Sequence, residues 1–354
     1  MVNKTRVIDT LIIGQGLAGS MLAWQLMQCG QRVLVLGDES SPSASRVAAG
    51  LFNPVTGKRL VLQADAELII PAAISFYRNL EKQFNQSLFH EKEMLRIFRT
   101  DKERDTFSQR AKDPAYAHYL GQTCTPDPLI NAEKGAFKQR KTGYLDTNTL
   151  LDCMKAHLIT QESYLESNFN HTELVTNSES VSWQNIRAQR VIFCEGYMAK
   201  DNPWFNWLLF QPAKGEILSF TTQQPLPDQI INGGKWLLPI SDGSYKTGAT
   251  YNHDISSVVP TETGRTELIA GVQSLIRSPL MLQTVDHQAG VRPNTLDKQP
   301  FIGIHPSYSQ LGIFNGFGSK GSMLIPYYSA CFANHLTKGA AIPPHTDISR
   351  IQHV

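Results

Sequence analysis

The chain has 354 residues, 41% of them apolar and 18% charged, enough to bury a large core in two domains or one elaborated domain. Its 33 basic and 31 acidic residues leave a net charge of +2 without a basic stripe, so electrostatics gives no reason to expect a nucleic-acid partner, and no run approaches the roughly 20 apolar residues of a membrane helix. Five cysteines (Cys29, Cys124, Cys153, Cys194 and Cys331) form no CxxC pair, which points to buried thiols in a reducing cytoplasm.

The residues Met1–Arg6 lead straight into the apolar run Val7–Ile13, an expected strand, with no room for a signal peptide and its cleavage site. Gly14-Gln15-Gly16-Leu17-Ala18-Gly19 follows, and helical spacing continues through Met21, Leu22, Trp24 and Leu26. A second strand, Arg32–Leu36, comes next, with Asp38 just beyond it. Strand, glycine turn, helix and strand stand in the order of a dinucleotide site. The first glycine permits the tight turn, the second lets backbone approach a pyrophosphate, and the third lets helix pack on strand. The helix amino terminus then offers unpaired N–H groups and partial positive charge to the phosphates. Gly37 takes the place where the ribose-binding acid usually ends the second strand, so either Asp38 reaches the ribose one residue late or backbone and water replace it.

The small-residue loop Asp38–Gly50 suits close approach to a flat ligand, and its Val47–Leu51 end is too apolar for a plain surface loop. Residues 64–120 read as helical, led by the stripe Ala66, Ile69, Ile70, Ala73, Ile74 and Tyr77. A helix is expected from Thr149 to Leu158, and Val191–Gly196 reads as a buried strand ending in glycine, suited to the cofactor sheet. From Pro212 to about Val259, short strands at 216–220, 235–239 and 245–250 predict an antiparallel sheet, followed by a helix from Glu262 to Leu275. Gly290-Val291-Arg292-Pro293 precedes a loop. Leu311–Gly316 and Phe317–Ser322 then lead into a last helix that runs to about Leu336, with Pro326 in its first turn and Gly339, Pro343 and Pro344 as its stop.

No GxSxG elbow or P-loop supports a hydrolase or a kinase. The ten histidines show no metal spacing, and His287, although near Arg292, reads as a structural histidine. Trp236 and Tyr251 flank the expected antiparallel sheet and serve either as pocket walls or as core.

In this order, the Gly14–Gly19 fingerprint, the Ser45–Gly50 loop, the Val191–Gly196 strand, Gly248-Ala249-Thr250, Gly290–Pro293 with Pro300–Gly303, and Asn315–Gly321 resemble the D-amino-acid oxidase superfamily of FAD-dependent amine oxidoreductases, in its glycine oxidase and sarcosine oxidase branch. The resemblance implies an α/β (α+β overall) protein. Its Rossmann-type FAD-binding domain is discontinuous (1–60, 145–205, 285–354) and is interrupted by an antiparallel-sheet substrate domain (61–144, 206–284). It implies FAD contacts from Gly14, Gly16, Leu17, Ala18, Gly19, Asp38, Ser45, Arg46, Ala49, Gly50, Val175, Gly196, Gly290, Arg292, Asn315, Gly318, Ser319, Lys320 and Gly321. Arg292 and Lys320 are the implied catalytic residues. Arg292 would hold a substrate carboxylate through its planar fork, the alternative being a structural pair with an acid such as Asp297. Lys320 would either stabilise negative charge on the reduced flavin or touch the substrate, the alternative being a solvated surface lysine.

Some members of the superfamily attach FAD through a cysteine shortly after the substrate domain, but no cysteine lies between Cys194 and Cys331, so noncovalent FAD is expected. The implied activity is oxidation of a small amine that carries a carboxylate, such as glycine, sarcosine or a D-amino acid. A related branch trims a carboxymethylaminomethyl group from the wobble uridine of tRNA, and it remains open as a second reading. A flavin-binding protein without turnover and an NAD-dependent dehydrogenase are two more, although the Ser45–Gly50 loop and the carboxy-terminal glycine turn fit a flavin ring better than a nicotinamide.

Overall fold

A computed structural model describes residues 5–38, 43–240 and 242–351, so Met1–Lys4 and the Glu39–Pro42 part of the small-residue loop lie outside the described residues. The chain forms two compact units. One comprises Met1–Arg46, Thr147–Ala213 and Val291–Val354, and the other Val47–Asp146 and Lys214–Gly290. The chain thus changes unit after 46, 146, 213 and 290, where the sequence suggested 60, 144, 205 and 284. The first boundary moves furthest because Leu51–Phe52 pairs antiparallel with Gly143–Leu145, which draws the segment after Arg46 into the second unit.

In the first unit, Arg6–Ile13 lies between the parallel strands Val33–Gly37 and Ile186–Phe193. Its last six residues are buried, so it reads as a continuous apolar run and not as an alternating one. Its one buried charge, Asp9, is matched by Arg32. The Arg32 backbone N–H donates to Asp9 Oδ2 at 2.8 Å, and Arg32 Nη2 donates to Oδ1 at 2.7 Å. The hydrogen-bonded guanidinium holds the Asp9 carboxyl below its ordinary pKa.

Tyr164–Glu166 adds a parallel strand beyond Val33–Gly37, and Leu311–Asn315 pairs in parallel with the end of Ile186–Phe193. The beginning of Ile186–Phe193 instead carries the antiparallel strands Val181–Trp183 and Val175–Thr176. Helices Leu17–Gln28 and Gly321–Lys338 pack against each other. The last helix begins at Gly321, so Pro326 stands in its second turn and not its first. A preceding 3-10 turn, Gly318–Lys320, starts the coil earlier than the apolar pattern shows. Gly339 ends the helix with φ +71°.

The second unit holds a sheet in the strand order Leu282–Arg292, Ala213–Thr222, Tyr245–Gly248, Trp236–Pro239, Ile230–Asn232, Met94–Ile97, Ala136–Gln139, Leu120–Cys124. The neighbours whose register is described are antiparallel, except Ile230–Asn232 with Met94–Ile97. The expected helical stretch 64–120 is instead helix Ala66–Phe84, strands Phe89–Glu91 and Met94–Ile97, and helix Asp101–Arg110. The first helix stops at Asn85, with φ +51°, and the Glu81 carboxylate turns outward to accept the Leu88 and Phe89 amides, each at 2.9 Å. Helix Glu262–Leu275 has the expected bounds, capped by Thr261 Oγ1 accepting the Gly264 N–H at 3.0 Å. In the first unit, the helix Thr147–Thr160 extends two residues past each expected end.

His287 is held as a structural histidine. Its Nε2 lies 2.9 Å from the buried Glu216 carboxylate, off the hydrogen-bond line, and that carboxylate also accepts Thr261 N–H and Oγ1–H, both at 2.9 Å. Trp236 fills the space a side chain at Gly248 would need, so it is part of the sheet packing, while Tyr251 is exposed.

Candidate functional site

The parallel strands of the first unit end along one edge, and all but Tyr164–Glu166 end at a glycine or a glycine-bearing turn. Ligands of open α/β sheets bind beyond that carboxyl edge. Gly14 follows Arg6–Ile13 with φ +107°, a conformation that favours glycine, and a Cβ there would stand 2.5 Å from the Cys194 carbonyl oxygen. A Cβ on Gly19 would run into the Gly14 carbonyl oxygen. Gly16, the N-cap of helix Leu17–Gln28, is the open position, with only Ser45 Oγ near its Cβ site, at 3.3 Å. Ser45 Oγ also accepts the Leu17 N–H at 3.1 Å, which joins the small-residue loop to the first turn of the helix. That turn carries no acidic residue of its own to oppose an anion at its amino terminus.

Gly37 ends the second strand for a packing reason, because a side chain there would meet the Tyr164 ring, whose hydroxyl donates to Glu166 Oε2 at 2.6 Å. An acid at that place would displace the ring, and the acid stands at Asp38 instead. Arg46 Nη1 donates to Asp152 Oδ1 at 2.5 Å and to the Asn148 carbonyl at 3.2 Å. The third turn, Cys194–Gly196, follows Ile186–Phe193. The Cys194 N–H donates to the Ile13 carbonyl at 2.8 Å, and Gly196 has φ +61° with nothing within 4 Å of its Cβ site. Asn315, 2% exposed, ends the last parallel strand and donates through Nδ2 to the Gly196 carbonyl at 2.9 Å.

Gly316 and Gly318, with φ +84° and +54°, close the turn after Asn315. A Cβ on Gly316 would stand 2.7 Å from Thr295 Cγ2, and one on Gly318 2.5 Å from Asn294 Oδ1. The Gly318 N–H donates to the Pro293 carbonyl at 3.3 Å. The turn after Arg292 is thereby set on the turn that carries Lys320. Asp297, the acid the sequence offered as a local partner for Arg292, instead accepts Arg350 Nε at 2.9 Å. Lys320 is half-buried at the N-cap of the last helix. Burial pushes its ammonium pKa below the ordinary value, and nearby Lys298 adds like-charge repulsion. The attraction of a bound anion would offset both.

The structure therefore brings Gly14, Gly16, Leu17, Ala18, Gly19, Asp38, Ser45, Arg46, Gly196, Arg292, Asn315, Gly318, Ser319, Lys320 and Gly321 into the first unit. Val175 is in that unit too, exposed on the short outer strand Val175–Thr176. Ala49, Gly50 and Gly290 belong to the second unit, where Gly50, with φ +63°, packs against Leu145 and accepts its N–H at 3.0 Å. Sequence reasoning passed over Asn294, His171, Glu195 and Asn202. For Glu195 a signal existed, an acid between a buried strand and a positive-φ glycine. The other three have no local signature.

The first-unit residues fit a dinucleotide: open Cα positions at Gly16 and Gly196, an acid-free helix amino terminus, and close-packed glycines behind them. FAD released into the supernatant by acid precipitation, with a colourless pellet, is the expected result for this cysteine-free carboxy-terminal turn. A yellow pellet would show a covalent bond.

The family model described as FAD dependent oxidoreductase (DAO) matches residues 9–334. Among curated proteins, the chain is similar to the tRNA 5-methylaminomethyl-2-thiouridine biosynthesis bifunctional protein MnmC of Marinobacter nauticus, 23% identical over 94% of this chain and 56% of that protein. It is 27% identical to glycine oxidase of Pseudomonas aeruginosa over 40% of each chain. The chain thus spans about half the length of the first of these relatives and aligns with less of the second. Among solved structures, glycine oxidase from Geobacillus kaustophilus shares the fold, with a TM-score of 0.81 at 18% identity over 99% of this chain and 100% of that one.

Proposed function

Because the chain belongs to the DAO family of FAD-dependent oxidoreductases, we propose that it oxidises a small amine bearing a carboxylate, of the glycine, sarcosine or D-amino-acid type. The observation that carries this reading is the seating of the Arg292 turn on the Gly316–Lys320 turn, at the same sheet edge as the fingerprint. FAD, when bound, supplies the two-electron acceptor. The chain's own part is binding and orientation. Gly14–Gly19, Ser45, Gly196 and Asn315 would hold the dinucleotide. Arg292 would grip the substrate carboxylate with two parallel N–H donors and fix the Cα–H bond relative to the cofactor. Loss of hydride from Cα and of a proton from nitrogen gives an imine, which water hydrolyses. Lys320, a desolvated cation at a helix amino terminus, would stabilise negative charge that develops beside it.

The test is the visible spectrum of the purified protein, repeated without oxygen after adding glycine, sarcosine, proline and D-amino acids in turn. Bleaching of the flavin bands by one of them is the expected outcome and identifies the substrate family. Bands that no small amine bleaches would refute the small-amine reading.

A second reading has its own support, since the curated relative that aligns over 94% of this chain is the bifunctional MnmC. On that reading the amine with its carboxylate is a carboxymethylaminomethyl group on the wobble uridine of tRNA. Bleaching by tRNA carrying that group, and by none of the free amines, would favour it.

A further inference from the structure

One buried acid next to the fingerprint has no part in the chemistry above. The Glu195 side chain is 7% exposed, and its backbone nitrogen lies 3.6 Å from the Cβ site of Gly14. Glu195 Oε1 lies 2.7 Å from His171 Nε2, and Glu195 Oε2 accepts the Asn202 side-chain amide at 2.8 Å. Asn202 is fully buried and is itself fixed, because its Oδ1 accepts the Trp204 and Phe205 N–H groups at 3.0 and 3.2 Å. Uncharged rings of Phe169, Phe193 and Trp204 surround the His171 imidazole. Glu195 is the charged group paired with it. The other acids of these segments are engaged elsewhere, Glu173 with Asn170 and Gln184, and Asp201 with Lys200.

The next residue, Gly196, is gripped from the other side by Asn315 and leaves its Cα open. A carboxylate on a residue whose backbone lies this close to a phosphate-binding turn is an electrostatic liability unless something cancels it. We propose that His171 and Asn202, acting through Glu195, are positioning residues for the Gly196 turn, and that His171, when charged, neutralises a carboxylate that would otherwise repel the FAD pyrophosphate. The hold on FAD is then tighter with His171 charged, when the pair is neutral, than with His171 uncharged, when the pair carries a net negative charge. This inference needs FAD binding but not the amine-substrate reading, so the two fail separately.

The test is the Kd of FAD for the apoprotein, read by quenching of flavin fluorescence from about pH 5 to about pH 8, the span in which histidine changes charge. The wild-type Kd should rise on the order of tenfold across that span, as expected for one uncompensated charge near the phosphates. His171→Gln keeps a hydrogen-bond donor without charge. It should bind FAD with no pH slope, at the weak alkaline wild-type level. Glu195→Gln keeps the contacts and removes the negative charge. At about pH 8, where both side chains of the pair are then uncharged, it should bind FAD as tightly as the wild type does in acid. A flat wild-type profile would overturn the proposal. So would a wild-type slope persisting in His171→Gln, or a Glu195→Gln protein that binds FAD as weakly as His171→Gln. Thermal unfolding of each apoprotein confirms that the variants compared are folded.

Discussion

Replacing Arg292 with leucine should raise KM for the amine substrate on the order of a hundred- to a thousandfold, the cost of losing a charged partner from a desolvated carboxylate, while the FAD content of the purified protein stays unchanged. The two readouts separate because most of the cofactor residues sit on other elements, chiefly the turns after Arg6–Ile13, Ile186–Phe193 and Leu311–Asn315. Leucine keeps the backbone of the 292–295 turn, so the Pro293 carbonyl still accepts the Gly318 N–H. Arg292→Lys should fall between leucine and the wild type, because an ammonium supplies the charge without the planar fork. A KM unchanged in Arg292→Leu would remove Arg292 from the site. Equal loss of FAD would make it a cofactor residue.

The second large effect is at Gly19. Gly19→Ala should give a colourless protein with a lowered Tm. The new Cβ meets a backbone oxygen, that of Gly14, and Gly14 has no room to retreat, with the Cys194 carbonyl oxygen 2.5 Å from its own Cβ site. Overpacking of this kind costs about 1–3 kcal/mol before any cofactor is considered. Gly16→Ala is the contrast. Its Cβ would meet only Ser45 Oγ, at 3.3 Å, the end of a small side chain. Gly16→Ala should therefore keep its Tm as apoprotein and lose FAD affinity, because the side chain would stand where the pyrophosphate approaches. Full FAD content in Gly19→Ala, or wild-type FAD affinity in Gly16→Ala, would contradict the assigned roles of the two glycines.

These glycines were legible because their reasons are local. A strand, a turn with positive φ and a helix lie within about 20 residues, and apolar period and glycine position are enough to find them. The strand Ile186–Phe193 was legible as an apolar run, and helix Glu262–Leu275 through its periodic pattern after Thr261. The stretch after Phe84 was not. Strands Phe89–Glu91 and Met94–Ile97 are three and four residues long, too short for alternation to stand out from a charged background that favours helix. The seating of Pro293 and Asn294 on Gly318 joins turns about 25 residues apart in a way that no spacing encodes. The His171–Glu195–Asn202 cluster is likewise made by the sheet, which brings together a loop, a strand end and a 3-10 turn.

The pairing of Arg6–Ile13 with Ile186–Phe193 fixes an order of events during synthesis. Arg6 lies opposite Ile186 and Ile13 opposite Phe193, so the strand Arg6–Ile13 lacks one of its two neighbours until about 170 further residues have been translated. At about 5–20 residues per second that is roughly ten to thirty-five seconds. Through that interval Ile8, Leu11, Ile12 and Ile13, all buried in the finished fold, have one open strand edge beside them. The remaining parallel strand, Leu311–Asn315, arrives later still. Ribosome-bound chains halted before residue 186 should recruit chaperones that bind unpaired apolar strands, and chains released after the last helix should not.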